Sequence, residues 1–389
     1  MNLDFNNTKI AFSNKSDGEL KKASWLFGMM NQSWLVSLAS KLGIYAVEWD
    51  LPFAETLVKN TIFEQFCGGV SLEDCKTTIS KLYKTKTLTI LDYGAEAKES
   101  EADFDNTMQE FIKAINFAAT TDSVPIVSIK VTGMARFALL EKANAKEQLN
   151  SDDIAEFERI RSRVDQVCAT AKEKGIAVFV DAEESWIQDP VDDICEEMMA
   201  KYNKEKITVY NTYQMYRHDR LNYLKASFQR SIAGNYILGA KLVRGAYMEK
   251  ERLRAEEMKY LSPINATKEA TDKLYNEAVK FVVENYQKIA SCCATHNAES
   301  TMIQARMIDE LGIPKDHPHL TFCQLYGMSD NITFNLSNEG YLAGKYLPYG
   351  SVRDVIPYLL RRAQENTSVS GDMGREYQFI VKEIERRGK

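Results

Sequence analysis

From Asp92 onward the chain keeps one rhythm. A short, near-continuously apolar and β-branched stretch gives way to a longer amphipathic one, about eight times over about 280 residues. The apolar stretches are "TLTILDYG", "SVPIVSIKVTG", "GIAVFVDAEES", "KITVYNTYQMY", "YILGAKLVRGAY", "IASCCATHN", "LTFCQLYGM" and "YLAGKYLPYG". Strands apolar on both faces need cover on both faces, which the helices of a parallel sheet supply. "SDDIAEFERIRSRVDQVCATAKEKG" is such a helix, with Ser151 as a candidate N-cap and Gly175 just past its end. This pattern predicts an α/β fold, a (β/α)8 TIM-type barrel. A doubly wound open sheet is the main competitor, but "LDYGAEAKES" lacks the G-x-G-x-x-G loop expected after a first strand.

The segment before Asp92 differs. "GELKKASWLFGMMNQSWLVSLASKLGIYAVEW" and "SLEDCKTTISKLYK" read as amphipathic helices with Trp, Phe and Met on the apolar side. The expected organisation is a helical arm over 1–85 packing on a barrel over 86–389. A net charge of -6 gives no basic face for a nucleic acid. No run of roughly 18 apolar residues offers a membrane span. The polar start lacks a signal core and the Arg-rich character of a transit peptide, so the chain is expected to work in a cytosol-type compartment or to have lost a targeting segment. Seven scattered cysteines without a C-x-x-C pair point to reduced thiols, and Cys292, Cys293 and His296 alone are too few for zinc. No metal is expected.

In such a barrel the chemistry lies at the carboxyl ends of the strands. Those ends carry Asp92, Tyr93 and Glu96; Lys130; Asp181, Glu183 and Glu184; Asn211 and Tyr213; Lys241, Arg244 and Tyr247; Thr295, His296 and Asn297; Gln324 and Tyr326; and Tyr346. Each has a bland reading: Asp181 could cap a turn or pair with Lys130, and His296 could hold a loop. Together they describe a cation-rich cavity suited to an anion. The helix after the last strand puts Tyr358 and Arg362 four residues apart on one face, and Arg361 with Glu365 on the next. Ser351 or Asp354 can cap it; with Asp354, Pro357 falls in the first turn. Paired guanidiniums can grip one carboxylate bidentately.

"VDAEES", "KLVRGAY", "ATHN" and "YLPYG…PYLLRRAQEN", in that order, resemble the flavin-dependent proline dehydrogenase family, monofunctional eukaryote-like type. The resemblance implies a distorted barrel whose final helix lies over its mouth, and oxidation of L-proline to Δ1-pyrroline-5-carboxylate with FAD as cofactor. It implies that Arg361, Arg362 and Lys130 hold the carboxylate, that Tyr247, Leu325, Tyr346 and Tyr358 surround the ring, and that Asp181 sits near Lys130 and the substrate amine. Lys130 and Asp181 are the expected catalytic pair, and Glu96 a loop carboxylate that closes the site on Arg361. FAD is expected on Asn211, Lys241, Val243, Arg244, Gly245, Ala246, Thr295, His296, Asn297, Gln324, Arg362 and Glu365. Asn211 replaces a Gln of some relatives, and Met248 stands where some carry Trp. The family passes electrons to a membrane quinone, which implies peripheral membrane contact, at the inner face of a bacterial membrane or on the mitochondrial matrix side. The runner-up is 4-hydroxyproline dehydrogenase, disfavoured because Tyr346 fills the space a ring hydroxyl needs. A Schiff-base aldolase or lyase using Lys130 is the reading from another class; it leaves Lys241, Arg361 and Arg362 without a joint purpose.

Overall fold

Eight parallel strands close in chain order, β1 (Leu88–Tyr93), β2 (Ile126–Ile129), β3 (Ala177–Val180), β4 (Val209–Gln214), β5 (Leu238–Val243), β6 (Ile289–Ala294), β7 (Leu320–Leu325) and β8 (Ala343–Tyr349). The structure, a computed structural model, describes residues 2–30, 56, 58–94, 99–368 and 372–389, without the side chains of 363–373. The part of the expected arm over 31–49, Glu96 and the Glu365 side chain lie outside the described residues.

The chain divides into two compact units, 95–322 and 1–94 with 323–389. In the first, β2 to β6 pair in order, with Phe179 opposite Tyr210 and Lys241 opposite Thr212. Side chains alternate between barrel interior and helix layer. The Phe179 and Tyr210 rings meet edge to face at 5.0 Å, and Lys241 stands over Phe179 at 5.2 Å, so residues 179, 181, 210, 212, 214 and 241 share the inner face. Around these strands run α1 (Glu101–Ala118), α2 (Phe137–Asn144), α3 (Ser151–Lys174), α4 (Gln188–Tyr202), α5 (Arg220–Ala233), α6 (Met248–Met258), α7 (Lys268–Glu284) and α8 (Ala298–Glu310). Helix α3 is capped by Asn150, which accepts the Asp153 amide while Asp153 reaches back. Ser151 is therefore its first turn, and the capping-box Asp is what selects Asn150 over it. Gly175 closes the helix at φ 71°, as its lack of Cβ allows.

In the other unit, β1 pairs with β8 from Leu88–Gly344 to Tyr93–Tyr349. The N-terminal helices Asp17–Met30 and Leu72–Tyr83 belong with two C-terminal ones, α9 (Val352–Ser368) and α10 (Asp372–Arg386), the last of which the sequence reading does not place. Phe12, Leu20, Phe27 and Phe66 share one apolar cluster with Val352, Val355, Tyr358, Leu359 and Ile380. The N-terminal segment thus forms its core jointly with the chain's end, beyond the expected boundary at 85. A buried ionic knot joins the same parts. Asp330 pairs with Lys345 of β8 at 2.9 Å and Lys15 at 3.1 Å, and Glu376 of α10 accepts the Ser329 amide at 2.7 Å. Burial, helped by Asp330 and opposed by Lys345, pushes Glu376 up to about 7. Helix α9 is capped by Ser351, which takes the Asp354 amide at 3.1 Å, so Pro357 lies inside the helix. All seven cysteines are buried thiols, and burial pushes Cys75 up to about 12.

Candidate active site

Within 95–322 the strand ends carry a row of fixed charges. Asp181 follows β3, its amide held by the Ile129 carbonyl at 2.9 Å, and its carboxylate pairs with Lys241 of β5 at 2.5 Å. Both side chains are largely buried, on the inner face by the alternation above. The sequence reading set Asp181 beside Lys130; the ion pair seen is with Lys241, across the β4 position between them. Lys130 ends β2, buried, just before the tight turn Val131–Gly133.

Arg244 follows β5 and points to the helix layer. Its guanidinium binds Asp272 of α7 at 2.7 Å, the Thr295 hydroxyl, and Ser300 of α8 at 3.0 Å, and it stacks on Tyr275 at 4.4 Å. Burial opposes the charge on Asp272, but the bonds from Lys268 and Arg244 hold it below the usual carboxylate range. Thr295 also accepts the Asn297 amide at 3.0 Å, and Asn297 caps α8 through the Ser300 amide. "THN" is thus a local device that opens a thirteen-residue helix beside a locked guanidinium, with His296 half-buried between. Gly245 sits at φ 140°, where a Cβ would lie 2.4 Å from the Tyr216 ring. This lets the chain turn from Val243 through Ala246 to Tyr247, a buried residue with Lys250 over its ring at 5.5 Å.

Two expected cofactor ligands face elsewhere. Asn211 donates to Asp192 of α4 at 3.0 Å, in a cluster with Arg220, on the helix side of β4. Strand alternation puts Gln214, not Asn211, on the inner face. Gln324 accepts the Thr333 hydroxyl of the helix Asp330–Asn338 at 2.7 Å, which commits its amide oxygen to the helix layer. The sequence reading passed over Gln214 and gave Glu183 no task. Gln214 donates to the Glu183 carbonyl at 2.7 Å and accepts the Ala246 amide at 3.4 Å. Its inner-face position follows from the period of two only once the strand register, with Thr212 opposite Lys241, is known.

In the other unit, Lys345 reaches Asp330 on a helix, and a Cβ at Gly68 would strike Leu347. Tyr346, between them, therefore faces the barrel interior, buried. The Tyr326 amide bonds the Tyr346 carbonyl at 2.9 Å, just after the half-buried Leu325. On α9, Tyr358 and Arg362 are buried with the guanidinium 5.1 Å from the ring, as the i, i+4 spacing predicts, and Arg361 is half-buried beside them.

In a closed parallel barrel all carboxyl ends share one rim. The fold is a (β/α)8 barrel with fixed charges at its strand ends. A family model described as Proline dehydrogenase matches residues 75–375. Proline dehydrogenase 1, mitochondrial, of Dictyostelium discoideum is 32% identical over 437 residues, covering 99% of this chain and 75% of that protein. Carbapenem antibiotics biosynthesis protein CarD of Pectobacterium carotovorum subsp. carotovorum is 31% identical over 350 residues, covering 90% and 91%. Proline utilization A of Bdellovibrio bacteriovorus, solved after inactivation by N-propargylglycine, superposes with a TM-score of 0.74 at 23% identity, over 83% of this chain and 35% of that one. The chain spans about a third of the solved proteins it matches, and that likeness is one of fold. This chain belongs to the proline dehydrogenase family, and it is an oxidoreductase.

Proposed function

We propose that the chain oxidises L-proline to Δ1-pyrroline-5-carboxylate with FAD and passes the electrons to a membrane quinone. The observation that carries the reading is the buried Asp181–Lys241 pair on the inner face of the strand ends, with Lys130 ending the strand next to β3. A fixed cation beside an acid suits a substrate that is both a carboxylate and an amine. The donor set also fits the cofactor. Arg244, Thr295 and Asn297 supply a locked guanidinium, a hydroxyl and a helix N-terminus, groups that suit a pyrophosphate. Lys241, Val243, Gly245, Ala246 and Gln214 would hold the ring side, with His296 on the ribose or phosphate side; Arg362 and Glu365 belong to the same proposal through the family resemblance. FAD, when bound, supplies the electron-pair acceptor for the C–H bond beside the ring nitrogen.

The chain's own part is positioning and electrostatics. Arg361, Arg362 and Lys130 take the proline carboxylate; Tyr247, Leu325, Tyr346 and Tyr358 wall the ring; Glu96 closes the site on Arg361. Asp181 holds Lys241 in place through their ion pair and faces the amine, which must reach the site without its proton. Contact with a membrane surface, bacterial inner face or mitochondrial matrix side, belongs to the same proposal. No helix among the described residues is long and apolar enough to cross a membrane. A 4-hydroxyproline preference is the second reading, and the buried, inward Tyr346 speaks against it.

An absorption spectrum tests the proposal. The purified protein is recorded before and after L-proline, without oxygen or quinone. Oxidised-flavin bands that bleach with proline, and far less with 4-hydroxyproline, are expected. A protein that stays colourless after reconstitution with FAD, and traps a carbonyl substrate covalently with borohydride, would return Lys130 to lyase chemistry.

A further inference from the structure

One buried acid at the strand ends has no place in that account. Glu183 lies two residues past Asp181, and every polar part of it is tied to a different element. Its N–H donates to Gln188 of α4 at 2.8 Å, and its carbonyl accepts from Gln214 of β4 at 2.7 Å. Its carboxyl takes the Thr132 amide at 3.2 Å and the Thr132 hydroxyl. Through Gln214 and the Ala246 amide the same node reaches the turn after β5. Thr132 sits in the turn that directly follows Lys130, and the Lys130 charge acts on the Glu183 carboxyl.

We propose that Glu183 is a positioning residue for substrate binding: its carboxyl fixes the Val131–Gly133 turn and sets how much of the Lys130 charge reaches the substrate carboxylate. The inference rests on the reading of Lys130 as a ligand of that carboxylate. A spacer of the same shape could hold three strand ends without a carboxylic acid, whose burial is costly unless donors meet it. Here the donors belong to the one turn that carries Lys130.

The charges around Glu183 come from several elements. Lys130 faces it from β2. Its own loop contributes Asp181, paired with Lys241 of β5, and Glu184, paired with Lys250 of α6. Asp192 of α4 lies behind Gln188 and is paired with Arg220 of α5; Glu251 of α6 is held by Ser185. Burial pushes Glu183 up to about 7, against the Thr132 bonds and Lys130, with Glu184 adding to the rise. Below that pH the protonated acid no longer draws on the Lys130 charge. Above it, the carboxylate competes for the same charge. Carboxylate affinity therefore falls as pH rises through about 7.

Cyclopentanecarboxylate is the probe, because it keeps the ring and the carboxylate and has no amine to titrate. Its inhibition constant against proline is measured on the flavin-loaded enzyme from pH 6 to pH 8.5. We expect it to rise about three- to tenfold in the wild type, within the range of one partner's charge. Glu183→Gln should hold it flat, near the wild-type value at pH 6. Thr132→Val, which keeps the carboxyl and the backbone amide bond but removes the hydroxyl bond to the turn, should weaken binding at every pH, and Thr132→Ser should restore it. An unchanged slope in Glu183→Gln, or unchanged binding in Thr132→Val, overturns the proposal. A wild type that oxidises proline yet never binds the probe removes the carboxylate role of Lys130, and the inference with it. That outcome is distinct from equal slopes.

Discussion

Arg361 and Arg362 are adjacent in sequence and unequal in structure. Arg362 is buried against Tyr358, whereas Arg361 is half-buried. If both hold the proline carboxylate, Arg361→Met or Arg362→Met should raise KM for proline by about ten- to a hundredfold, the worth of a charge-assisted hydrogen bond, and leave flavin content largely intact. Steady-state kinetics with flavin quantitation check this; unchanged KM in both variants removes the pair from the carboxylate site. Tyr346→Ser should raise kcat/KM for 4-hydroxyproline relative to proline, because it opens space on the inner face. At this scale the sequence was legible as chemistry and less so as direction. The residue types at strand ends were readable, but Asn211 and Gln324 turn to Asp192 and Thr333 in the helix layer, and only strand register shows that. Glu183 stayed unassigned because two of its three partners, Thr132 and Gln214, are distant in sequence.

The strands were legible as elements because each is a continuous apolar run between helices of clear period. Boundaries were less so. Asn150 rather than Ser151 caps α3, and Ser351 rather than Asp354 caps α9, each chosen by a reciprocal bond with an Asp three residues on. The turn from β5 to α6 is the most constrained connection, since Gly245 combines a positive φ with a flat contact on Tyr216. Gly245→Ala must therefore move either a rigid ring or the backbone that carries Arg244 and Tyr247. The expected result is a loss of folded yield or of flavin retention well beyond the ~1 kcal/mol of an ordinary Gly→Ala change, read by thermal melting and by the flavin-to-protein ratio. A variant that melts and retains flavin like the parent would show that the turn has slack.

Over the whole molecule, two groups of acids pull stability in opposite directions along the pH axis. Glu19 and Glu101 sit at about 2, where Lys81 and Ser16, and Arg159 and Arg163, hold them. Their contribution is present above about 4.5 and is lost as pH falls towards 2. Glu183 and Glu376 sit at about 7, so folding takes up protons there, and stability is lost as pH rises from about 4.5 through about 7. Melting temperature should therefore peak on the acid side of neutrality, and Glu376→Gln should flatten the fall between pH 5 and pH 8; a parent-like fall would place the proton elsewhere. The sequence did not foretell this, since the ionic knot joins Lys15, Asp330, Lys345 and Glu376 from across the chain. The buried thiols have a use of their own. Cys67, Cys75 and Cys323 lie in one compact unit and Cys168, Cys195, Cys292 and Cys293 in the other. A thiol-specific label can reach them only when their own unit opens, so labelling read by peptide mass is a pair of internal clocks that reports which half of the barrel comes apart first.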